Sequence, residues 1–466
     1  MARKRRVFDR DRGMWYIAGE RSVAERMKKP HYGWVVCLCG LWLFVSNMGL
    51  CSNILSVYLP FIEERGLSDS MGSAILSIRC LFSFAVTFFV ELYYRRLSLR
   101  GGILVASLLG AASAVVYGLS AGPLGYYAGA ALGGIAYGLG CIYPVSLLLT
   151  RWFHTHRGLA LGGVAYGLGC IYPVSLLLTR WFHTHRGLAL GISSAGSGVA
   201  TMVFSPLFTA LVLRHSLSTA FFVQAGIMLA GALGVSLLLR DDPAQLGLSP
   251  YGAGGRAETE DRPQEEGSET LSKGMLWMLA LMMLLVGGAG QAFSGHLSVL
   301  TVSCGYGVQA AARVMALQGM VLICSKFLAG ELADRFGTKR CSALLMVVFI
   351  LGCGTVLLMD GVNLIWCYGP VALMGFGASV YNVGPPLWAG DLSGRAGYPK
   401  LLKWLQIFYN LGGILFSAVP GIMADHTGEY KSAYGLIALM MLVSLLILLW
   451  AYGAAGRTHL LREERV

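Results

Sequence analysis

The sequence predicts an all-α membrane protein made of two halves of six membrane-spanning helices, with one extra apolar segment in the first half. Of the 466 residues, 56% are hydrophobic and only 13% are charged, whereas a soluble protein has about a quarter of its residues charged. Apolar runs long enough to cross a bilayer, which takes about 20 residues, recur along the chain. A polar stretch at 241–272 interrupts them. Together these observations favour a multi-pass membrane protein in two parts.

Twelve apolar runs are the candidate spans, six before the polar stretch and six after it. In chain order they are 33–61, 70–94, 102–120, 126–152, 188–212, 219–239, 275–304, 311–330, 341–359, 365–388, 402–423 and 433–454. Pro385 and Pro386 predict a break within the tenth, because proline lacks the N–H that a helix interior needs.

Basic residues cluster in alternate connections and predict the orientation of the chain. Because Lys and Arg are enriched in cytoplasmic loops, we expect both termini to be cytoplasmic and the protein to lie in the cell inner (plasma) membrane. The predicted parts are a cytoplasmic tail at 1–30, a helix bundle at 31–240, a flexible cytoplasmic linker at 241–272, a second bundle at 273–456 and a cytoplasmic tail at 457–466.

A tandem duplication supplies the extra apolar segment. The 29 residues 133–161 recur as 162–190 with one difference, Ile135 against Val164. Two copies this alike indicate a recent duplication or a sequence-assembly error. If both copies spanned, every later helix would invert against the charge bias, so we expect one copy not to span. Charge favours the first copy in the bundle, although only the second continues directly into the next span.

Several function classes are excluded by composition. A net charge of +12 would favour a nucleic-acid partner in a soluble chain, but these charges lie in tails and short connections. We therefore expect contact with the lipid bilayer and no nucleic acid. The 11 cysteines lack metal-ligand spacing and are typical of small buried residues. With no Ser/His/Asp set or paired carboxylates, the sequence predicts no enzyme, no cofactor and no metal site.

The clearest charges inside the predicted spans are two cations. Arg79 is near the middle of the second span, and Lys326 lies in the eighth. An intramembrane arginine costs at least about 2.5 kcal/mol on insertion scales and normally faces a cavity or a partner. No Asp or Glu lies deep enough to pair with them, so we infer an anionic substrate, a carboxylate in the simplest case. The alternatives are a structural Arg79 bonded to polar neighbours and a Lys326 that reaches the interface.

Three other polar residues are candidates for the substrate site. His296, in the seventh span, could bind substrate or carry a proton, since histidine titrates near physiological pH. Asn53 and Asn382 could line a cavity. Each could equally be a hydrogen-bonded core residue joining helices.

The segment Gly330–Arg340 carries the clearest motif, Gly-Glu-Leu-Ala-Asp-Arg-Phe-Gly-Thr-Lys-Arg, between two apolar runs. It resembles the loop motif of the major facilitator superfamily, secondary transporters with two six-helix halves. The resemblance implies that fold and a conformational gate at the cytoplasmic end. The gate residues it implies are Gly330, Asp334, Arg335, Gly337 and Arg340.

Two further stretches resemble the oxalate:formate antiporters and the monocarboxylate porters. They are the Arg151–Ala160 loop and the sequence from Arg240 to Gly252. Lys326 stands where both groups have a substrate-linked arginine. Leu322 replaces an acidic partner of the porters, and Gly412 replaces the second cation of the oxalate exchanger, which leaves dicarboxylate binding unsupported unless Arg79 substitutes.

The resemblance implies a monomeric secondary transporter of small organic anions that works by alternating access. A proton or a counter-anion would be the coupling partner. The other interpretation is a receptor or scaffold on a transporter fold, or a non-functional product of a duplicated gene, since fold alone does not confer function.

Overall fold

A computed structural model of the chain describes residues 6–9, 14–17, 32–142, 186–240 and 272–463, except for positions 87, 90, 91, 94 and 95. The predicted linker and most of the duplicated unit lie outside these residues, so both stay predictions. Below, residues 32–240 are called the N-terminal half and residues 272–463 the C-terminal half.

A two-stranded hairpin lies within the predicted N-terminal tail. Strands β1 (Arg6–Asp9) and β2 (Met14–Ile17) pair antiparallel, with Arg6 opposite Ile17. Both strands carry aromatic or β-branched residues, which favour extended structure. These eight positions are the exception to the helical architecture of the described residues, and the cytoplasmic tail at 1–30 stays a prediction.

The N-terminal half contains six helices in its described residues. They are α1 (Gly33–Glu63, with a π-helical stretch at Phe44–Asn53), α2 (Asp69–Val86), α3 (Leu99–Leu119), α4 (Pro123–Tyr137, continued by a π-helical turn at Gly138–Ile142), α5 (Arg186–Arg214) and α6 (Leu217–Leu238).

The C-terminal half contains seven helices in its described residues, because the predicted spans 365–388 and 402–423 are each divided and one helix continues from the former into the latter. They are α7 (Lys273–Ser303), α8 (Val308–Phe336), α9 (Thr338–Thr355, followed by a short 3-10 helix at Val356–Leu358), α10 (Leu364–Gly377), α11 (Val380–Phe416), α12 (Val419–Thr427) and α13 (Lys431–Glu463). Among the described residues, 10 helical segments are long and apolar enough to cross a membrane, and α10 is a shorter apolar helix. The predicted helical membrane fold is confirmed, while the total of twelve spans stays a prediction.

The helix break near the tenth span does not lie at the prolines. Between α10 and α11 the N–H groups of Ser379 and Tyr381 bond carbonyls three residues earlier instead of four, and Pro385 lies within α11. Each proline removes a hydrogen bond to the carbonyl four residues earlier, so the bonds lost by Pro385 and Pro386 belong to the turn that precedes them. The two prolines therefore weaken the first turns of α11, whereas the break between the helices lies before them.

Local sequence explains where several helices begin. The hydroxyl groups of Ser98, Ser216 and Ser272 each accept a hydrogen bond from the backbone N–H three residues later, at 3.1, 3.1 and 3.2 Å. Asn363 does the same for the N–H of Ile365 at 2.9 Å. Such caps satisfy N–H groups that the first helical turn leaves without partners.

The two halves meet along helices α1, α2 and α5 of the N-terminal half and α7, α8, α11 and α12 of the C-terminal half. At one crossing, Gly198 of α5 lies against Gly319 of α8, where a Cβ on Gly319 would be 2.6 Å from the Gly198 carbonyl oxygen. Backbones this close resemble the small-residue contacts of membrane helix pairs. The polar residues discussed below lie along this junction.

Candidate functional site

Arg79 lies at the junction of the two halves and is almost completely buried, with 4% of its surface exposed. Its Nη1 donates to Ser52 Oγ of α1 at 2.6 Å, and its Nη2 is 3.4 Å from Gln291 Oε1 of α7. Nη2 is also 3.6 Å from Cys80 Sγ, and the guanidinium carbon lies 5.7 Å from the ring centre of Tyr137 on α4. Residues of both halves therefore surround this one cation.

Every group that contacts the Arg79 guanidinium, within the described residues, is electrically neutral. Its Nε is buried and has no hydrogen-bond partner there. A buried charge without an opposite charge is unfavourable, and a guanidinium offers five donors in a planar fork that matches a carboxylate. The arrangement leaves Arg79 suited to an incoming anion.

Close helix packing holds Arg79 in this position. A Cβ on Gly134 of α4 would overlap the carbonyl oxygen of Arg79, so only glycine lets α4 approach α2 this closely. This close packing of α4 against α2 places Tyr137 beside the guanidinium. On the other side, the π-helical stretch of α1 ends where the N–H of Ile54 donates to the carbonyl of Gly49, five residues earlier. Such stretches often occur at functional sites, and this one carries Ser52.

Gln291 contacts Arg79 but was not among the site residues that the sequence predicted. It is the one amide side chain in α7, in a run that includes Gly287, Gly288 and Gly290. A polar residue among small residues in the middle of a span was the available signal. The carboxamide approaches Arg79 from the other half, which only the tertiary structure reveals.

His296 is fully buried, five residues beyond Gln291 on α7 and so about 7.5 Å farther along the helix. Its Nδ1 lies 3.0 Å from the carbonyl oxygen of Ala292, and its Nε2 lies 2.7 Å from Ser73 Oγ of α2. A carbonyl only accepts, so Nδ1 carries the proton and Nε2 accepts from Ser73 in the neutral ring. The structure thus places His296 in a bonded contact between the halves, apart from the groups around Arg79.

The two asparagines differ in what the structure describes. Asn53 of α1 directs Nδ2 toward Thr201 Oγ1 of α5 at 3.5 Å, a long contact between helices of the same half. The backbone of Asn382 lies at the start of α11, and its side chain is outside the described part of the structure. A substrate role for either stays a prediction.

Lys326 is half-buried on α8, seven residues beyond the crossing at Gly319. It belongs to the C-terminal half, whereas Arg79 belongs to the N-terminal half. The predicted pair of cations therefore comes from opposite halves, and both lie on helices at the junction.

The Gly330–Arg340 motif forms the sharp turn between α8 and α9. Gly337 has φ of +81°, a backbone conformation that residues other than glycine rarely adopt. Arg335 pairs with Glu331 one turn earlier, with both side chains largely exposed. Arg340 lines a surface hollow of about 300 Å³ with Leu332, Phe336, Cys341 and Leu344. The side chain of Asp334 lies outside the described part, so the predicted gate stays untested.

A further polar contact between the halves lies at the end of the bundle that holds Glu63 and Tyr430, here called the distal end. Tyr430 donates its hydroxyl to Glu63 Oε1 at 3.1 Å, and its ring lies 5.9 Å from the ring of His296. Burial and the neighbouring Glu63 carboxylate raise the pKa of the Tyr430 hydroxyl. The halves are therefore joined by polar groups here, a feature with no signal in the sequence because the partners are so far apart along the chain.

The family model described as Major Facilitator Superfamily matches residues 130–398. The chain belongs to this superfamily. A distant relative, Monocarboxylate transporter 12-B of Danio rerio, is 24% identical in an alignment 283 residues long that covers 55% of this chain and 59% of the relative. The chain thus spans less than two thirds of that relative's length. The predicted resemblance to the monocarboxylate group is confirmed.

Two solved structures have a similar fold. One is a bacterial homologue of the human lysosomal transporter Spinster in an inward-facing, unoccupied conformation, with TM-score 0.60, 16% identity and coverage of 93% of this chain and 98% of that one. The other is the nucleoside transporter NupG, with TM-score 0.65, 11% identity and coverage of 91% and 99%. At these identities the likeness shows the fold alone. The superfamily and these neighbours are transporters and not enzymes, as the sequence predicts.

Within this superfamily fold, Gly412 cannot be replaced by a second cation. A Cβ on Gly412 of α11 would overlap the carbonyl oxygen of Leu284 on α7, and one on Gly287 would overlap the carbonyl oxygen of Tyr409. The two backbones are pressed together, so a lysine side chain at position 412 has no space. In this transporter the buried cation on α2, Arg79, lies in the other half.

Proposed function

We propose that this superfamily member is a secondary active transporter of small organic anions, most simply carboxylates, and that it works by alternating access. The observation that carries the proposal is the Arg79 guanidinium, which is buried at the junction of the halves and contacted only by neutral groups within the described residues. Substrate sites of such transporters lie near the bilayer midplane between structural repeats. A carboxylate there would supply the missing negative charge.

A second cation supports the same substrate class. Lys326 lies on α8 in the opposite half, so one anion held by Arg79 and Lys326 would draw on both halves. We favour a monocarboxylate as the substrate, because one cation is enough to hold it. A dicarboxylate would bind only if both Arg79 and Lys326 reach it. The coupling partner, a proton or a counter-anion, is left open in this proposal, as are the monomeric state and the cytoplasmic location of the termini.

The competing interpretation is a receptor or scaffold on a transporter fold. A protein without a ligand to bind would have little reason to retain a buried guanidinium with neutral partners, because each such cation is costly in a membrane. A nucleoside substrate, as in the name of one structural neighbour, would not neutralise Arg79.

The test is transport by the purified protein in lipid vesicles. Radiolabelled acetate, lactate, succinate and uridine are offered separately, under a pH gradient and again with the same compound inside. We expect uptake or exchange of at least one carboxylate and none of uridine. Arg79→Gln should abolish binding of that carboxylate while the protein still inserts and folds, and Lys326→Gln should weaken it.

The matched control is Arg214→Gln, which removes an exposed arginine at the end of α5 and should leave transport unchanged. No uptake or exchange of any carboxylate would contradict the proposal. Normal carboxylate binding by Arg79→Gln would show that Arg79 is structural.

A further inference from the structure

We propose that Gln291 occupies the anion position of Arg79 in the empty protein and that the substrate carboxylate displaces it, so that substrate binding breaks a hydrogen bond between the two halves. This inference rests on the proposed function of Arg79. It assigns to Gln291 a role in setting affinity and in linking occupancy to movement of the halves.

The hydrogen bonds of Arg79 are unequal. Nη1 is held by Ser52 at 2.6 Å, whereas Nη2 reaches Gln291 only at 3.4 Å and Nε has no partner in the described residues. Typical N–H···O bonds are about 2.9–3.0 Å long. Ser52 therefore anchors one end of the guanidinium, and the edge formed by Nε and Nη2 is weakly occupied.

That edge suits a carboxylate. Nε–H and the adjacent Nη2–H point in parallel and can donate to the two oxygens of one carboxylate. Gln291 offers a single neutral oxygen to this edge. A substrate carboxylate offers two charged oxygens, and hydrogen bonds between charged partners are stronger than those with one neutral partner. An anion can thus replace the carboxamide without disturbing the bond to Ser52.

The surroundings keep Gln291 directed at Arg79. A Cβ on Gly413 of α11 would lie 3.0 Å from Gln291 Cγ, so the small residue leaves just enough space for the glutamine side chain. Beside it, Cys80 Sγ of α2 lies 3.8 Å from Ser417 Oγ of the C-terminal half. Gln291 is therefore held on the C-terminal half while it bonds the N-terminal half.

Displacement has a mechanical consequence. Without substrate, the Arg79–Gln291 bond joins α2 to α7 at the junction. With substrate bound on the Nε/Nη2 edge, that direct bond between the halves is lost, and α2 is joined to the opposite half there only through the bound anion. A ligand shifts a conformational equilibrium only through such a difference in interactions between states.

Two substitutions at position 291 separate this role from a packing role. Gln291→Met has similar length and no acceptor, so the carboxylate no longer competes with a carboxamide. We expect the Kd for the transported carboxylate to fall by about two- to tenfold, since a long hydrogen bond is of modest strength. Gln291→Glu places a permanent carboxylate on Arg79, and we expect the Kd to rise more than about tenfold.

The measurement is binding of the radiolabelled carboxylate that gives the highest uptake in the panel above, with thermal unfolding of each variant as a check on folding. Gln309→Glu is the matched control, because it adds the same charge at an exposed glutamine of α8 and should not change the Kd. In vesicles, Gln291→Met should also reduce the ratio of exchange to net uptake, because the empty protein has lost a link between its halves.

The inference is overturned if Gln291→Glu binds the carboxylate as well as the unmodified protein, or if Gln291→Met binds it no more tightly. Should Gln291→Glu fail to fold, the result with Gln291→Met decides alone. Loss of binding in Arg79→Gln together with unchanged binding in both position-291 variants would leave the proposed function intact and reject this inference. Normal binding in Arg79→Gln would reject both.

Discussion

The carboxylate of Asp425 on α12 accepts a hydrogen bond from the backbone N–H of Asp69, the first residue of α2, at 3.1 Å. It also accepts the N–H of Ser70 at 3.1 Å, while Ser68 Oγ accepts the N–H of Met71 at 3.3 Å. The first N–H groups of a helix have no partner within it. Three of them are satisfied here, two by a residue of the opposite half, so Asp425 caps α2 only while the distal ends of the halves are together.

We predict that Asp425→Ala shifts the protein toward a state with the distal ends apart. Losing a cap costs about 0.5–2 kcal/mol, which corresponds to about a twofold to thirtyfold change in the equilibrium. Asp425→Asn keeps one acceptor and should have a smaller effect. Distances between spin labels at Ala121 and Val362, on distal loops of the two halves, measure the shift. Glu429→Ala serves as the control, and an unchanged distance distribution in Asp425→Ala would argue against the capping role.

Gly412→Ala should destabilise the protein. The new methyl group would overlap the Leu284 carbonyl oxygen, and overpacking of this kind typically costs about 1–3 kcal/mol. Gly435→Ala, in α13 with open space around it, should be neutral or stabilise by up to about 1 kcal/mol. Thermal unfolding in detergent compares the two. Equal melting temperatures for both variants would show that α7 and α11 tolerate separation.

The Asp360 loop should lose stability in acid. Asp360 Oδ1 accepts the N–H of Asn363 at 2.9 Å, the N–H of Val362 at 3.0 Å and the hydroxyl of Tyr306 at 2.9 Å. These bonds, with Asn363 the strongest influence, lower the pKa of Asp360 below its ordinary value. A lowered pKa means that the carboxylate stabilises the folded loop above the unfolded pKa of about 3.9 and that this contribution is lost as the pH falls through the folded pKa.

Hydrogen exchange of the Val362 and Asn363 amides between pH 7 and pH 3, corrected for the intrinsic rate, measures that loss. Asp360→Asn should show weaker protection at pH 7 and a flatter pH dependence. A variant that keeps the steep dependence would locate the titrating group elsewhere.

Asp334→Asn should reduce the transport rate more than the substrate affinity, because the superfamily resemblance implies a gating role for this residue. A hydrogen bond to a charged group is worth about 1.5–3 kcal/mol, so we expect a fall in kcat of about tenfold or more with little change in KM. Glu331→Gln alters the exposed pair with Arg335, which is worth about 0–1 kcal/mol, and should change kcat far less. Rates in vesicles, normalised to inserted protein, compare the two. Unchanged kcat in Asp334→Asn would dismiss the gate.

Much of the fold follows from local chemistry. Apolar runs of membrane length fixed the helices, serine and asparagine caps mark several starts, and the motif at Gly330–Arg340 indicates the superfamily. Arg79 could be predicted as a site residue from the sequence alone, because an arginine in the middle of a membrane span is rare whatever the direction of its side chain. The hairpin at Arg6–Asp9 and Met14–Ile17 was not predicted, because strands of four residues are too short to show a clear alternation of apolar and polar residues.

The sequence by itself determined the class of protein, most of its helices and the presence of cations within its spans, since these depend on the bilayer's demand for apolar, internally bonded segments. Only the tertiary structure decided the partners. Gln291 meets Arg79 from 212 positions away, and Asp425 meets Asp69 from 356 positions away. Neither the periodicity nor the spacing of residues in the sequence predicts such pairs, because they form where helices of the two halves pack against each other. The physical reason is that a helix specifies its own hydrogen bonds locally, while the side chains it presents to another helix depend on which helix packs there.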